Sequence, residues 1–276
     1  MKHKELAEIM STCGYIYLND AVSCSHRLHA SVDAIMECLP SCPGIAMQTE
    51  LHYLNMLLPN KSEMNKKRLA LIGGFKVSTK FAALKSLATS LDKVMIGGAM
   101  ANTFLHSQGI VMGDSFVEHG LVGEVAALYE RHKDRIMLPV DVVCLVGEKL
   151  VTLDITDLPS NARICDIGPK TVSYFQDAMA EGLVVYNGPL GKYEDLRFAA
   201  SSNAMARYIA DLTIEGKITS IVGGGDTLSA INAYDPNLLN KFSYASTAGG
   251  AMLDWMQHFS LTVIDKLFKM THGILK

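Results

Sequence analysis

Residues 221–227 read IVGGGDT, an apolar run that stops in three glycines and turns helical. The same grammar occurs three more times: ALIGG at 70–74, VMIGGAM at 94–100 and VVYNGPLG at 184–191. A strand that ends in glycine and feeds a helix leaves backbone N–H groups, unobstructed by a Cβ, facing any anion above the sheet edge. Working outward from these turns, apolar strands of four to six residues alternate with helical patterns from Arg68 onward. That alternation predicts a mostly parallel, doubly wound sheet covered on both faces, a Rossmann-like three-layer α/β fold. In such sheets ligands bind at the carboxyl ends of the strands, where all four turns fall.

The helices expected after the turns span Val77–Leu87, Met100–His106, Ser201–Leu212 and Asp226–Ala233, each with apolar residues at intervals of three or four. Ahead of them lie a short helix over 3–12 and a strand Tyr15–Leu18 ended by Asn19-Asp20. A helix from Gln48 to Leu58 follows and stops at Pro59. Asn60–Lys67 reads as a polar connector or hinge. These features predict a partial α/β lobe over 1–60 and the glycine-turn domain over 61–276, the latter closing in an amphipathic helix from Leu253 to Lys276. The residues before Lys67 are expected to pack less stably than the rest.

The chain has 276 residues, 49% of them apolar and 19% charged, with a formal net charge of −3. That composition supplies a sizeable core and gives no reason to expect nucleic acid or an anionic membrane as partner. The six cysteines form no CxxC pair, the start leads into no apolar signal region, and no segment reaches the length of a membrane span. These absences predict a cytoplasmic protein with reduced thiols.

Four constellations carry chemistry. In the first, Gly73-Gly74-Phe75-Lys76-Val77-Ser78-Thr79-Lys80 sets two lysines four apart, on one face of the expected helix. They either reach the same phosphates or lie solvated at the surface. In the second, Gly223-Gly224-Gly225-Asp226-Thr227 exposes successive amides, and Asp226 is either a Mg²⁺ carboxylate or a helix cap. Glu194, shortly after Asn187-Gly188-Pro189-Leu190-Gly191, is a ribose acceptor or an exposed helix-start glutamate. Ser246-Thr247-Ala248-Gly249-Gly250 offers a further phosphate-facing helix start. No G-x-x-x-x-G-K-[ST] and no G-x-G-x-x-G occurs in the chain.

Taken in order, the segments LNDA…SHRLHAS, GGFKVSTK, DKVMIGGAMANTFL, LPVDVV, DIGPKT, VVYNGPLGKYE, TSIVGGGDT and FSYASTAGGA resemble phosphoglycerate kinase, over residues 4 to about 257. The resemblance implies phosphoryl transfer between 1,3-bisphosphoglycerate and Mg-ADP in glycolysis and gluconeogenesis, by two lobes that close over the substrates. It implies that Lys76 stabilises the transferring phosphoryl group, with Gly225 and Gly250 among the catalytic positions. Lys80 falls on a nucleotide-phosphate contact, and Gly74, Phe75, Gly98, Asn187, Gly188, Gly191 and Gly224 on nucleotide-contacting positions. Glu194 is matched to the ribose, Asp226 to the metal-linked carboxylate, Thr227 and Gly249 to the phosphate path, and Arg27 to the phosphate of 3-phosphoglycerate. The implied cofactor is Mg²⁺ with ADP or ATP, and the family is usually monomeric.

Several departures qualify the resemblance. More than the front third of the family's chain has no counterpart, which predicts weakened catalysis or, as the alternative, a non-catalytic Mg-nucleotide-binding protein. Phe75 stands in place of an alanine beside the adenine, where it either stacks on the base or crowds it. Ala248 replaces a glycine, Tyr186 replaces a tryptophan, and the tail diverges after Trp255.

Overall fold

In a computed structural model, residues 2–58 and 66–271 are described, so most of the connector expected at Asn60–Lys67 lies outside them. The chain separates into two compact units, Met1–Leu58 with Ser246–Lys276, and Pro59–Ala245. The last 31 residues, expected with the glycine-turn domain, group instead with the front of the chain.

The first unit begins with α1 (Lys2–Ser11), β1 (Tyr17–Asn19), β2 (Ser41–Pro43) and α2 (Ile45–Leu54). β1 and β2 pair in parallel, Tyr17 opposite Ser41. The strand thus starts two residues later than expected and includes Asn19. Helix α2 starts three residues earlier than expected because Asp20 caps it, its carboxylate accepting from the Met47 amide at 2.9 Å. A Cβ on Gly44 would collide with that same carboxyl group.

In the second unit the chain continues as β3 (Arg68–Ile72), α3 (Phe81–Ser90), β4 (Lys93–Ile96), α4 (Met100–Ser107), α5 (Val122–His132) and β5 (Ile136–Met137). Next come β6 (Asp141–Val146), β7 (Lys149–Asp154), β8 (Ala162–Ile167), α6 (Pro169–Ala178), β9 (Gly182–Asn187) and α7 (Ala200–Ile214). β10 (Ile218–Gly223), α8 (Gly225–Tyr234) and β11 (Tyr244–Ser246) follow. The main sheet has the order β11-β10-β9-β3-β4-β5. The pairs from β10 through β5 are all parallel.

After a polar first residue, β3 and β4 run apolar over 69–72 and 94–96 because both faces are covered. Leu69, Leu71, Met95, Val184 and Val222 join a core with Phe175 of α6 and Met205 and Ile209 of α7. Ala70, Ile72, Val94 and Ile96 alternate with them and are equally buried. Each fully buried leucine or isoleucine contributes roughly 2 kcal/mol.

Two features depart from strict β/α alternation. β7, β6 and β8 form a separate antiparallel sheet. Its first hairpin turns on Gly147-Glu148, between paired Val146 and Lys149, with Gly147 at φ 63°. The helix expected from Val77 starts only at Phe81, for reasons that belong to the site.

The closing residues form α9 (Gly250–His258) and α10 (Thr262–Thr271) rather than one helix. The chain turns at Phe259, whose φ of 52° is left-handed. These helices complete the first unit. Trp255 Nε1 donates to the Leu54 carbonyl at 3.2 Å, Ser246 Oγ to Glu50 at 2.5 Å, and Lys266 Nζ to Asp33 and Glu37 at 2.9 Å each. The front residues therefore have a core of their own, built with the tail. Among the described residues their only sheet is still two strands of three residues, so the β1 and β2 amides are expected to exchange hydrogen faster than those of β9 and β10. Equal protection in a native-state exchange experiment would contradict that.

Candidate functional site

The four glycine turns meet because their strands are neighbours and end in register. Asn187 of β9 lies opposite Gly223 of β10 on one side and Ile72 of β3 on the other, while Ile72 also lies opposite Ile96 of β4. From β3 the chain runs outward to β4 and β5, then returns to β9 on the opposite side and continues to β10 and β11. The order reverses between β3 and β9, and a doubly wound sheet opens a crevice at such a point.

At this point the backbones touch. The Gly73 amide donates to the Asn187 carbonyl at 3.0 Å, and the Gly98 amide to the Leu190 carbonyl at 2.9 Å. A Cβ on Gly73 would overlap the Pro189 carbonyl oxygen and lie 2.6 Å from that of Gly188. Lys80 fastens the same junction, its Nζ donating to the Gly73 carbonyl at 2.8 Å, the Asn187 carbonyl at 3.0 Å and Asn187 Oδ1 at 2.6 Å. Burial pulls its ammonium down to about 8, against the opposing influence of the Asp226 charge.

Above the turns is a cavity of about 630 Å³, lined in part by Gly74, Gly98, Gly191, Glu194 and Asp226. Asp226 is exposed in the first turn of α8, a ten-residue helix entered through Gly224 at φ 94°. No added Cβ at Gly225 would meet an atom within 4 Å, so the helix start is open to a ligand. Thr227 is buried, and its hydroxyl accepts from the Gly188 amide at 2.6 Å, tying α8 to the β9 turn. Phe75 also lines the cavity, stacked on Phe116 with centroids 4.2 Å apart and planes at 22°.

The two lysines do not share a helix face, which corrects the sequence expectation. Residues 73–80 form no helix because the Ser78 amide and hydroxyl both donate to the Glu118 carboxylate, at 3.0 and 2.6 Å. Lys80 turns inward with its three donors committed to protein acceptors, whereas Lys76 is exposed. Arg27, Gly249 and Gly250 belong to the first unit. There Arg27 Nε donates to His26 Nε2 at 3.0 Å, and a Cβ on Gly250, at the start of α9, would lie 3.6 Å from the same nitrogen.

Sequence reasoning did not single out Asp166, Phe116 or Glu118, although DIGPKT contains the first. Asp166 lies at the cavity wall and accepts from the Ile167 amide at 2.9 Å, the Ser201 amide at 3.1 Å and the Ser201 hydroxyl. The apolar neighbourhood outweighs these donors, and burial pushes its carboxyl up to about 7. The folded state then holds a proton that the unfolded chain has already lost above about pH 4. This stabilisation is complete below about pH 4 and lost as pH rises through 7, a loss of about 4 kcal/mol over the window. Urea unfolding between pH 5 and 8 should show about 3 kcal/mol of that fall, the part above pH 5, and Asp166→Asn should flatten it.

Among the described residues no cluster of three or more His, Cys, Asp or Glu could hold a metal by itself. Beside the glycine-rich helix start the cavity offers the exposed carboxylate of Asp226, with Glu194 and Asp114 exposed elsewhere on its wall. That fits Mg²⁺, which keeps water and takes phosphate oxygens along with one or two carboxylates.

The profile of the family described as Phosphoglycerate kinase matches residues 1–258. The phosphoglycerate kinase of Dinoroseobacter shibae is 41% identical over 261 residues, covering 92% of this chain and 65% of that protein. That of Bartonella quintana is 40% identical over 261 residues, covering 91% and 64%. Among solved structures, phosphoglycerate kinase from Coxiella burnetii superposes with a TM-score of 0.87 at 34% identity, over 97% of this chain and 69% of that one. The chain spans about 65% of the length of the curated relatives it matches. Family profile, sequence identity and superposed fold agree across almost all of it, and the chain belongs to the phosphoglycerate kinase family.

Proposed function

We propose that the second unit binds ADP or ATP with Mg²⁺ and that the chain takes part in phosphoryl transfer of the phosphoglycerate kinase type. The observation that carries this reading is the in-register meeting of four glycine turns at the switch point, with Asp226 exposed above them. In this reading Gly74, Gly98, Asn187, Gly188, Gly191 and Gly224 cradle the nucleotide, and Glu194 accepts ribose hydroxyls. Asp226 contributes the protein's carboxylate to Mg²⁺, which when bound neutralises phosphate charge. Lys76, exposed at the turn after β3, faces the transferring group electrostatically. Lys80 holds the β3 and β9 turns together and releases a donor to phosphate only by leaving an acceptor behind.

The reaction moves a phosphoryl group from the acyl phosphate of 1,3-bisphosphoglycerate to the terminal phosphate oxygen of ADP, leaving 3-phosphoglycerate and ATP. Arg27, Gly249 and Gly250 are proposed for the glycerate phosphate and the phosphate path. Six free thiols suit a reducing cytoplasm, and no helix among the described residues is long and apolar enough to cross a membrane. A second reading, nucleotide binding without turnover, asks only for the glycine turns and Asp226 of the second unit. Calorimetry with ADP and Mg²⁺, run beside a coupled assay for ATP formation, separates the two. Binding with turnover supports transfer, binding without turnover supports the second reading, and no binding at millimolar ADP removes both.

A further inference from the structure

The segment that carries Lys76 has neither helix nor strand from Gly73 to Lys80, yet two contacts from one other segment grip it. Phe116 stacks on Phe75, and Glu118 takes both hydrogen-bond donors of Ser78. Lys76 lies between these two contacts. The gripping segment is itself held by buried residues of α4: Asn102 Nδ2 donates to the Phe116 carbonyl at 3.1 Å, and the Glu118 amide donates to Thr103 Oγ1 at 3.1 Å. Asn102 and Thr103 are 2% and 0% exposed. A continuous set of contacts therefore runs from a rigid helix to the backbone on either side of one exposed lysine.

Nothing about stability alone asks for this arrangement at an exposed loop, where a single hydrogen bond to water would satisfy each donor of Ser78. Fixing the loop lowers the entropy that Lys76 would otherwise lose when it meets a ligand. Burial raises the Glu118 carboxyl, but the Ser78 hydroxyl and amide, the Val77 amide and the nearby Lys76 charge more than offset it and keep the group ionised.

We propose that Phe116 and Glu118 are positioning residues that hold Lys76 toward the transferable phosphoryl group of the nucleotide. The proposal rests on the reading of Lys76 given above. It predicts a difference between two ligands: ATP carries that group and ADP does not, so disturbing the grip weakens Mg-ATP more than Mg-ADP.

The test uses the full chain, with calorimetric affinities for both nucleotides in the wild type, Glu118→Ala, Glu118→Gln, Lys76→Ala and Lys76→Ala with Glu118→Ala. Glu118→Ala is expected to weaken Mg-ATP about tenfold and Mg-ADP less than about twofold, on the scale of one charge-assisted hydrogen bond. Adding it to Lys76→Ala should change little further, because the two residues act in series. Glu118→Gln, which keeps one acceptor oxygen, should recover part of the loss. Equal losses for ATP and ADP, or full additivity in the double variant, would overturn the proposal and leave Glu118 with a structural role only.

If the wild type binds neither nucleotide, the Mg-nucleotide reading itself has failed. The grip is then judged by hydrogen exchange at the Ser78 amide. Exchange no faster in Glu118→Ala than in the wild type shows that Glu118 does not hold the loop, clearly faster exchange shows a structural grip only, and either result overturns the positioning role.

Discussion

Gly73→Ala is expected to be among the most damaging single substitutions in the chain, lowering unfolding stability by about 3 kcal/mol or more and abolishing nucleotide binding. The added methyl has no flexible side chain to displace, because its neighbours are the carbonyls of Gly188 and Pro189 in the facing turn. Accommodation requires β3 and β9 to part at their ends, which also breaks the acceptors of Lys80. Gly188→Ala should be at least as harmful, since Gly188 has φ 100° and its Cβ would press on the Gly73 carbonyl. Gly109→Ala is the control: φ is 85°, but no atom lies within 4 Å of the added Cβ, and the cost should stay near 1 kcal/mol. Urea unfolding of the three variants checks the ranking. Equal losses for Gly73 and Gly109 would show that the contact between the turns carries no weight.

Asp226→Asn is expected to produce the largest loss of ligand affinity, about 100-fold for ADP with Mg²⁺ present, equivalent to roughly 3 kcal/mol. With the metal chelated, the same substitution should leave ADP affinity unchanged or slightly raised, because the carboxylate then only repels phosphate. This sign reversal distinguishes a metal-linked carboxylate from a helix cap, whose loss would act equally with and without Mg²⁺. The variant should also lower the Lys80 pKa further, because the Asp226 charge is what holds it up against burial. Titration calorimetry with Mg²⁺ and with chelator supplies the comparison.

The strands beneath the site were legible because their signal is local. An apolar run ending in glycine identifies β3, β4, β9 and β10 without knowledge of their neighbours. Their meeting at one edge follows from parallel α/β topology. What was not legible depends on contacts between residues far apart in the chain. Val77 and Ser78 have helical spacing, yet Glu118, forty residues on, holds the loop open and delays α3 to Phe81. Lys80 looks like a surface lysine until Asn187 supplies acceptors to its ammonium. The tail reads as one amphipathic helix of the second domain, but Trp255 and Lys266 find their partners at Leu54, Asp33 and Glu37 in the first unit. Asp166 carries no signal within DIGPKT, because its unusual carboxyl comes from its surroundings rather than its sequence neighbours.

The in-register strand ends also set how this chain can change length over evolutionary time. Inserting one residue inside β9 would push the Asn187-Gly188 turn past its neighbours by about 3.3 Å and swap every following side chain between the two faces of the sheet. The ladder of hydrogen bonds thus acts as a gauge against which insertions and deletions are measured. Drift in length is expected in the Gly147-Glu148 hairpin or around Gly109, where the backbone has open space, while the four central strands must keep their residue counts together.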